Sequence, residues 1–227
     1  MPADVFRPSE YTAILIQALH MRAHLVRGAN VFEVGIGSGV VLRAMAELGA
    51  AKVSGTDIEP DAVHRGRALL ADVPPQVVGS LAVGDMWETV GGWRFDLIVS
   101  NLPHFPAETI DLPDRLRSWS AGGTDGRILL NQFLDGLDSH LAPGGHALLT
   151  HNAFTDLEQS RLRLAPAGFT LTPLVTTFAY LGGDKPHLLP AELRQRHIGR
   201  SLHQYGTYLF GEVSVVEAVR EPTMATT

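Results

Sequence analysis

The segment "SNLPHFP", Ser100 to Pro106, follows the apolar run "FDLIV". Proline cannot continue a sheet ladder, so a buried strand ends here, and an Asn at its tip must find hydrogen-bond partners. Asn101 therefore either caps the loop or is held to touch a bound molecule. A second such stretch is "FEVGIGSG", which sets Gly35, Gly37 and Gly39 between another apolar run and a helix-like segment. A tight glycine turn lets backbone approach a ligand closely, and the helix start offers free N–H groups. The plainer alternative is a turn that only packs helix against strand. Two acids stand at comparable strand ends. Asp57 closes "SGTD", where a carboxylate can accept from two ribose hydroxyls. Asp85 lies in "AVGDMW", where it can accept from an adenine amino group beside Met86. Position 40 is Val, so the dinucleotide pattern G-x-G-x-x-G is not met, which argues against a nicotinamide or flavin dehydrogenase.

These residues need elements to carry them. Glu10 to Arg27 has apolar residues at helical spacing, with Gly28 placed to stop the helix. "NVFEVG", "AKVSGTD", "VVGSLAVGD" and "RFDLIVSN" read as strands, with helices over "SGVVLRAMAELGA" and "EPDAVHRGRALLADV" between the first three. After the loop from Pro106 to Gly123 come a helix from Thr124 to about Leu141, a strand in "PGGHALLTHN" and a helix in "DLEQSRLRLAPAG". "FTLTPLVTTFAYL" and "YGTYLFGEVSVVEAV" finish the chain as strand-rich runs, before the tail "REPTMATT". The alternation predicts an α/β fold, a doubly wound and mostly parallel sheet with an antiparallel edge. In such sheets ligands bind at the carboxyl ends of the strands.

The bulk numbers narrow the function. A chain of 227 residues, 45% hydrophobic, can bury one sizeable core. A formal net charge of −6 argues against a broad grip on a phosphate backbone, and so against nucleic acid as a partner. With no cysteine there is neither a disulfide framework nor a thiolate metal site. No basic start followed by an apolar stretch marks a leader, and no window is apolar enough for a membrane span, so a cytoplasmic protein is expected. Lysine occurs only at Lys52 and Lys185, which fits a GC-rich bacterial genome. The histidines His187, His197 and His203 are too far apart for compact metal-ligand spacing, and no metal is expected.

Taken together, "EVGIGSG", "GTDIEPDA", "GD" at 84–85, "FDLIVSNLP" and "LAPGGHALL" resemble the class I methyltransferases that use S-adenosylmethionine, from Val31 to Asn152. The resemblance implies a Rossmann-like methyltransferase sheet. It also implies that Glu33, Gly35, Gly37 and Gly39 lie under the amino-acid part of the cofactor, that Asp57 holds the ribose, and that Asp85 and Met86 lie near adenine. "NLPHFP" is similar to the Asn-Pro-Pro-aromatic motif of enzymes that methylate planar nitrogens: release-factor glutamine, small-domain rRNA guanine-N2 and adenine-N6 DNA methyltransferases. Asn101 would then border both cofactor and methyl acceptor. An amide or aryl amine is a poor nucleophile, because its lone pair is delocalised. The Asn101 side-chain carbonyl and the Leu102 backbone carbonyl can accept its two N–H bonds and stabilise the charge that develops during attack. Pro103 stiffens the turn. Leu102 replaces the motif's first proline, and His104 stands where an aromatic is usual. Either His104 or Phe105 stacks on the flat group, and His104 can also remove a proton.

"AGGTDGRILLNQFLDGLDSHLAPGGHALL" is similar to the release-factor group as well. Those enzymes carry a separate helical docking domain, whereas only residues 1–29 precede the first strand here. The expectation is one methyltransferase domain over 1–227, with an N-terminal helical segment at 1–28 and an insertion at 182–204 as a candidate lid. The expected reaction is methylation, at nitrogen, of a small molecule or peptide. Alternatives are a protein-glutamine or RNA guanine-N2 methyltransferase that relies on a docking partner, and a non-catalytic S-adenosylmethionine-binding subunit. Oligomeric state is left open.

Overall fold

The computed structural model describes residues 8–106, 122–182 and 189–220. Most of the Pro106–Gly123 loop, His187, Lys185 and the C-terminal tail lie outside them. Five parallel strands form the body of the sheet: β1 (Asn30–Val34), β2 (Lys52–Asp57), β3 (Val78–Val83), β4 (Phe95–Ser100) and β5 (Leu141–Asn152). The two long final strands, β6 (Phe169–Tyr180) and β8 (Tyr208–Arg220), run antiparallel, and β8 lies between β5 and β6. The order is β3-β2-β1-β4-β5-β8-β6, with β7 (Leu202–Tyr205) paired to the start of β8. The order reverses between β1 and β4, so a cleft opens at their carboxyl ends. The expected fold class is the observed one.

Residue alternation divides the core between the two faces. Val31 of β1, Leu97 and Val99 of β4 and Leu148 of β5 pack in one cluster with α1 (Glu10–Met21), α3 (Val40–Glu47) and α4 (Pro60–Leu69). Phe32, Ile98, Leu149 and Val216 point the other way, into a cluster with Phe133, Leu134 and Leu137 of α5 (Ile128–His140) and Leu164 of α6 (Leu157–Leu164). A third, smaller cluster joins Phe105, Phe154, Leu181, Leu189, Leu202 and Leu209. Among the described residues no helix is long and apolar enough to cross a membrane.

Three expected boundaries move. The single helix over Glu10–Arg27 is broken at Arg22, leaving α1 and a short α2 (Ala23–Val26). The helix expected from Thr124 starts at Ile128, because Gly123 and Gly126 take φ of +84° and +76°, outside the helical region. Within the 182–204 segment, α7 (Ala191–His197) is the expected helix, but Leu202–Tyr205 belongs to a hairpin with β8.

Candidate active site

The glycine turn leaves β1 and the Asn101 loop leaves β4 at the same level. Val34 is in register with Ser100, and the Ser100 hydroxyl donates to the Val34 carbonyl at 2.9 Å. Asp57 fastens the turn: its Oδ2 accepts from the Gly37 N–H at 2.8 Å and its Oδ1 from the Glu59 N–H at 2.9 Å. Burial raises the Asp57 pKa against these two bonds. The three glycines differ in what they do. At Gly39, with φ +80°, an added Cβ would meet Gly66 Cα at 2.8 Å, so this residue lets α3 and α4 approach. At Gly35, with φ +84°, a Cβ would meet only Leu102 Cδ2, at 3.8 Å. The structural alternative thus describes Gly39, while Gly35 is bare backbone opening toward the Asn101 loop. Gly37 takes φ +51°.

Glu33 shares the face of Val31 and is 2% exposed. Burial first, and then the nearby Asp57 charge, push its pKa well up, while the Leu42 N–H opposes the shift. Its Oε2 has no hydrogen-bond partner among the described residues. A buried carboxyl with one unpartnered oxygen calls for a hydrogen-bond partner, and a bound molecule can supply it. Asp85 follows β3, where the Thr56 hydroxyl ties down the Gly84 carbonyl at 3.1 Å. Asp85 Oδ2 accepts from Gln132 Nε2 at 3.2 Å. The Met86 side chain is buried in the second core cluster, so it offers a ligand backbone rather than thioether. Ile58, 60% exposed beside Asp57, is an apolar surface that the sequence pattern did not single out. An orphaned acid, a bare glycine cradle, a ribose-type carboxylate and an acid at the β3 end fit the ends and middle of S-adenosylmethionine.

Asn101 is half-buried, and its Oδ1 accepts from the Thr150 hydroxyl at 2.9 Å. Leu102 and Pro103 are also half-buried. His104 is 5% exposed, and the nearby Leu102 carbonyl favours its protonated form. Burial, with His151 nearby, lowers its pKa to about 3. The ring is therefore neutral and a weak proton acceptor, which disfavours a general-base role. Its face lies 5.4 Å from the Tyr11 ring, brought in by α1, and the Tyr11 hydroxyl accepts from Asn152 Nδ2 at 3.0 Å. Phe105 points away into the third cluster, edge-on to Phe154 at 6.2 Å. Of the two candidate stacking rings, Phe105 is taken up by the third cluster, while the buried His104 ring packs beside Tyr11.

The "GGTDG" turn forms the floor under this loop. Gly122 donates to the Phe105 carbonyl at 2.8 Å, and a Cβ on Gly126 would meet the His104 carbonyl oxygen at 2.5 Å. Behind it, the buried Arg127 guanidinium donates to the carbonyls of Thr155 and Asp156 and to Ser160 Oγ, the last at 3.1 Å. The Thr155 hydroxyl donates to the Asn152 carbonyl, so His151 Nδ1–H donates to Thr155 and its Nε2 accepts from Ser160. Burial lowers the His151 pKa to about 4. Thr150, Asn152 and Tyr11 are not marked by any sequence pattern, whereas "GGTDG" stands out by its glycine spacing but not by its partner. Among the described residues of the late segment, His203 pairs with Glu212 at 3.0 Å and His197 with Ser201 at 2.8 Å, the His197 ring lying edge-on to Phe154.

Comparison with known proteins agrees with this geometry. A family described as a methyltransferase domain matches residues 31–120. A protein of Methanocaldococcus jannaschii named as a protein N5-glutamine methyltransferase is 31% identical over 169 residues, 73% of this chain and 81% of that one. The release factor glutamine methyltransferase of Geobacter sulfurreducens is 30% identical over 63% of this chain, which spans about half of that relative's length, 51%. Among solved structures, the Thermus thermophilus 16S rRNA N2 G1207 methyltransferase, in complex with AdoMet and guanosine, superposes with a TM-score of 0.56 at 20% identity, over 95% of this chain and 44% of that one. With its sheet order, its glycine turn and these relatives, the chain belongs to the class I S-adenosylmethionine-dependent methyltransferases.

Proposed function

We propose that this enzyme methylates the side-chain amide nitrogen of glutamine in a protein or peptide. The observation that carries the reading is the pair of acceptors at the end of β4. Asn101 Oδ1 has one lone pair engaged, by the Thr150 hydroxyl, the Leu102 carbonyl follows it in the chain, and a carbonyl oxygen has two lone pairs. The second lone pair of Asn101 Oδ1 and the Leu102 carbonyl match the two N–H bonds of a primary amide. S-adenosylmethionine supplies an electrophilic methyl group on a sulfonium. Held by the glycine turn, Asp57 and Asp85, it would give that methyl to the amide nitrogen and leave as the neutral thioether. The nitrogen then sheds one proton to water, since the neutral His104 is a poor acceptor. Asn101 and Leu102 hold the amide in line and stabilise its developing positive charge. The relative at 31% identity that carries the name of a protein N5-glutamine methyltransferase supports this substrate, one of the alternatives to the small molecule or peptide expected from the sequence.

An exocyclic guanine amine also offers two N–H bonds, and the guanosine bound by the Thermus enzyme favours that as the second reading. Methyl transfer from labelled S-adenosylmethionine to a glutamine-containing peptide and to guanosine-containing RNA separates the two. Methylated glutamine in the peptide digest is expected, and methylated guanosine alone would transfer the proposal to RNA. In the active assay, Asn101→Ala is expected to keep S-adenosylhomocysteine affinity within about twofold and to lose turnover by about a hundredfold or more. Equal loss of cofactor affinity would remove Asn101 from the acceptor site.

A further inference from the structure

We infer that Thr150 is a positioning residue for methyl transfer: its hydroxyl fixes the flip and tilt of the Asn101 amide so that Oδ1, and not Nδ2, faces the acceptor nitrogen. The inference rests on the reading of Asn101 as the acceptor-binding residue. Thr150 is 3% exposed and lies in β5, one residue beyond Leu149, which is in register with Ser100. The next residue of β4's path is Asn101, so the two side chains meet across adjacent strands at 2.9 Å. An Asn amide is nearly symmetric in shape, and only its neighbours distinguish oxygen from nitrogen. A hydroxyl can donate or accept, and here its proton points at Oδ1. The amide is thereby held with one lone pair taken and the other presented at the cleft. Turned over, Nδ2 would offer an N–H to the substrate N–H, leaving two donors opposed.

Alternation along β5 extends the arrangement. Thr150 and Asn152 point to the same side, and Asn152 Nδ2 holds the Tyr11 hydroxyl at 3.0 Å. One strand thus fixes both Asn101 and the wall that α1 brings to the site. Neither side chain on β5 needs to touch the substrate. What β5 supplies is orientation, and a misplaced acceptor is costly because the reacting atoms must be in line.

Thr150→Val keeps the side-chain shape and deletes the hydroxyl, and Thr150→Ser restores the donor. In 15N-labelled protein, the Asn101 side-chain NH2 pair, identified by its loss in Asn101→Ala, should shift or broaden in Thr150→Val and recover in Thr150→Ser. With a glutamine peptide as substrate, kcat should fall by about tenfold in Thr150→Val, with S-adenosylhomocysteine affinity within about twofold of wild type. An unchanged NH2 pair, or an unchanged kcat, in Thr150→Val overturns the inference. If Asn101→Ala itself keeps turnover, the acceptor-site reading fails instead. If the wild-type enzyme leaves the peptide unmethylated, the glutamine reading fails and the NH2 signals alone decide the positioning role.

Discussion

At the scale of single residues, the site relies on neutral histidines where charged ones would be easier to satisfy. His104 and His151 are both buried, and their pKa values fall to about 3 and about 4. His151 holds Thr155 through its Nδ1–H, and the His104 ring packs beside Tyr11. Neutrality has a consequence for pH. The unfolded chain takes up a proton on each ring below the ordinary histidine value, and the folded chain does not. Stability that is complete above that value is therefore lost as pH falls toward the folded pKa values. Each ring accounts for about 2 kcal/mol between pH 6.5 and pH 5. Thermal unfolding of the wild type should show a marked drop in Tm over that interval, and His151→Gln should flatten it. The same neutrality predicts that the pH profile of kcat has no inflection from His104 near neutrality.

At the scale of elements, the acceptor loop depends on the turn that precedes α5 more than on its own prolines. Gly122 and Gly126 let two backbones pass at a distance that no side chain could occupy. Gly126→Ala would combine a positive φ with a Cβ pressed against the His104 carbonyl, and neither can yield independently of the loop. A loss of about 2–4 kcal/mol in denaturant unfolding is expected, with methyl transfer falling while S-adenosylhomocysteine affinity is largely kept. The glycine spacing "GGTDG" was visible in the chain, but its partner was not. The turn lies some way along the sequence from "NLPHFP", and only tertiary packing sets one upon the other.

At the scale of the whole molecule, three separate cores serve three tasks. The clusters on the two sheet faces hold β1, β4 and β5 in register, which fixes the cleft. The small third cluster anchors the acceptor loop through Phe105 to the β7–β8 hairpin and to Leu189. The late segment is therefore bound to the Asn101 loop by apolar contact. Phe105→Ala should cost about 3 kcal/mol and lower turnover, since it frees the loop from its anchor. Hydrogen exchange should then rise in the hairpin and in residues 100–106 together, and leave the centre of the parallel sheet protected.

The sequence alone determined the α/β alternation, the glycine turn, the strand-end acids and the Asn101 loop. Each is local: a period of two or 3.6, a turn that needs glycine, or a proline that stops a ladder. It also carried the cofactor, because the residues that fit S-adenosylmethionine follow directly on strands whose ends the pattern marks. What the chain order could not show is which of these residues has a partner already. Gly39 lets α3 and α4 approach, the Met86 side chain packs in the core, and Asn101 Oδ1 takes the Thr150 hydroxyl. Tyr11 meets Asn152 across 141 residues, and Thr150 meets Asn101 across 49. Such contacts exist only once the sheet has brought distant strand ends to one level, so tertiary structure decided how the acceptor site is aimed.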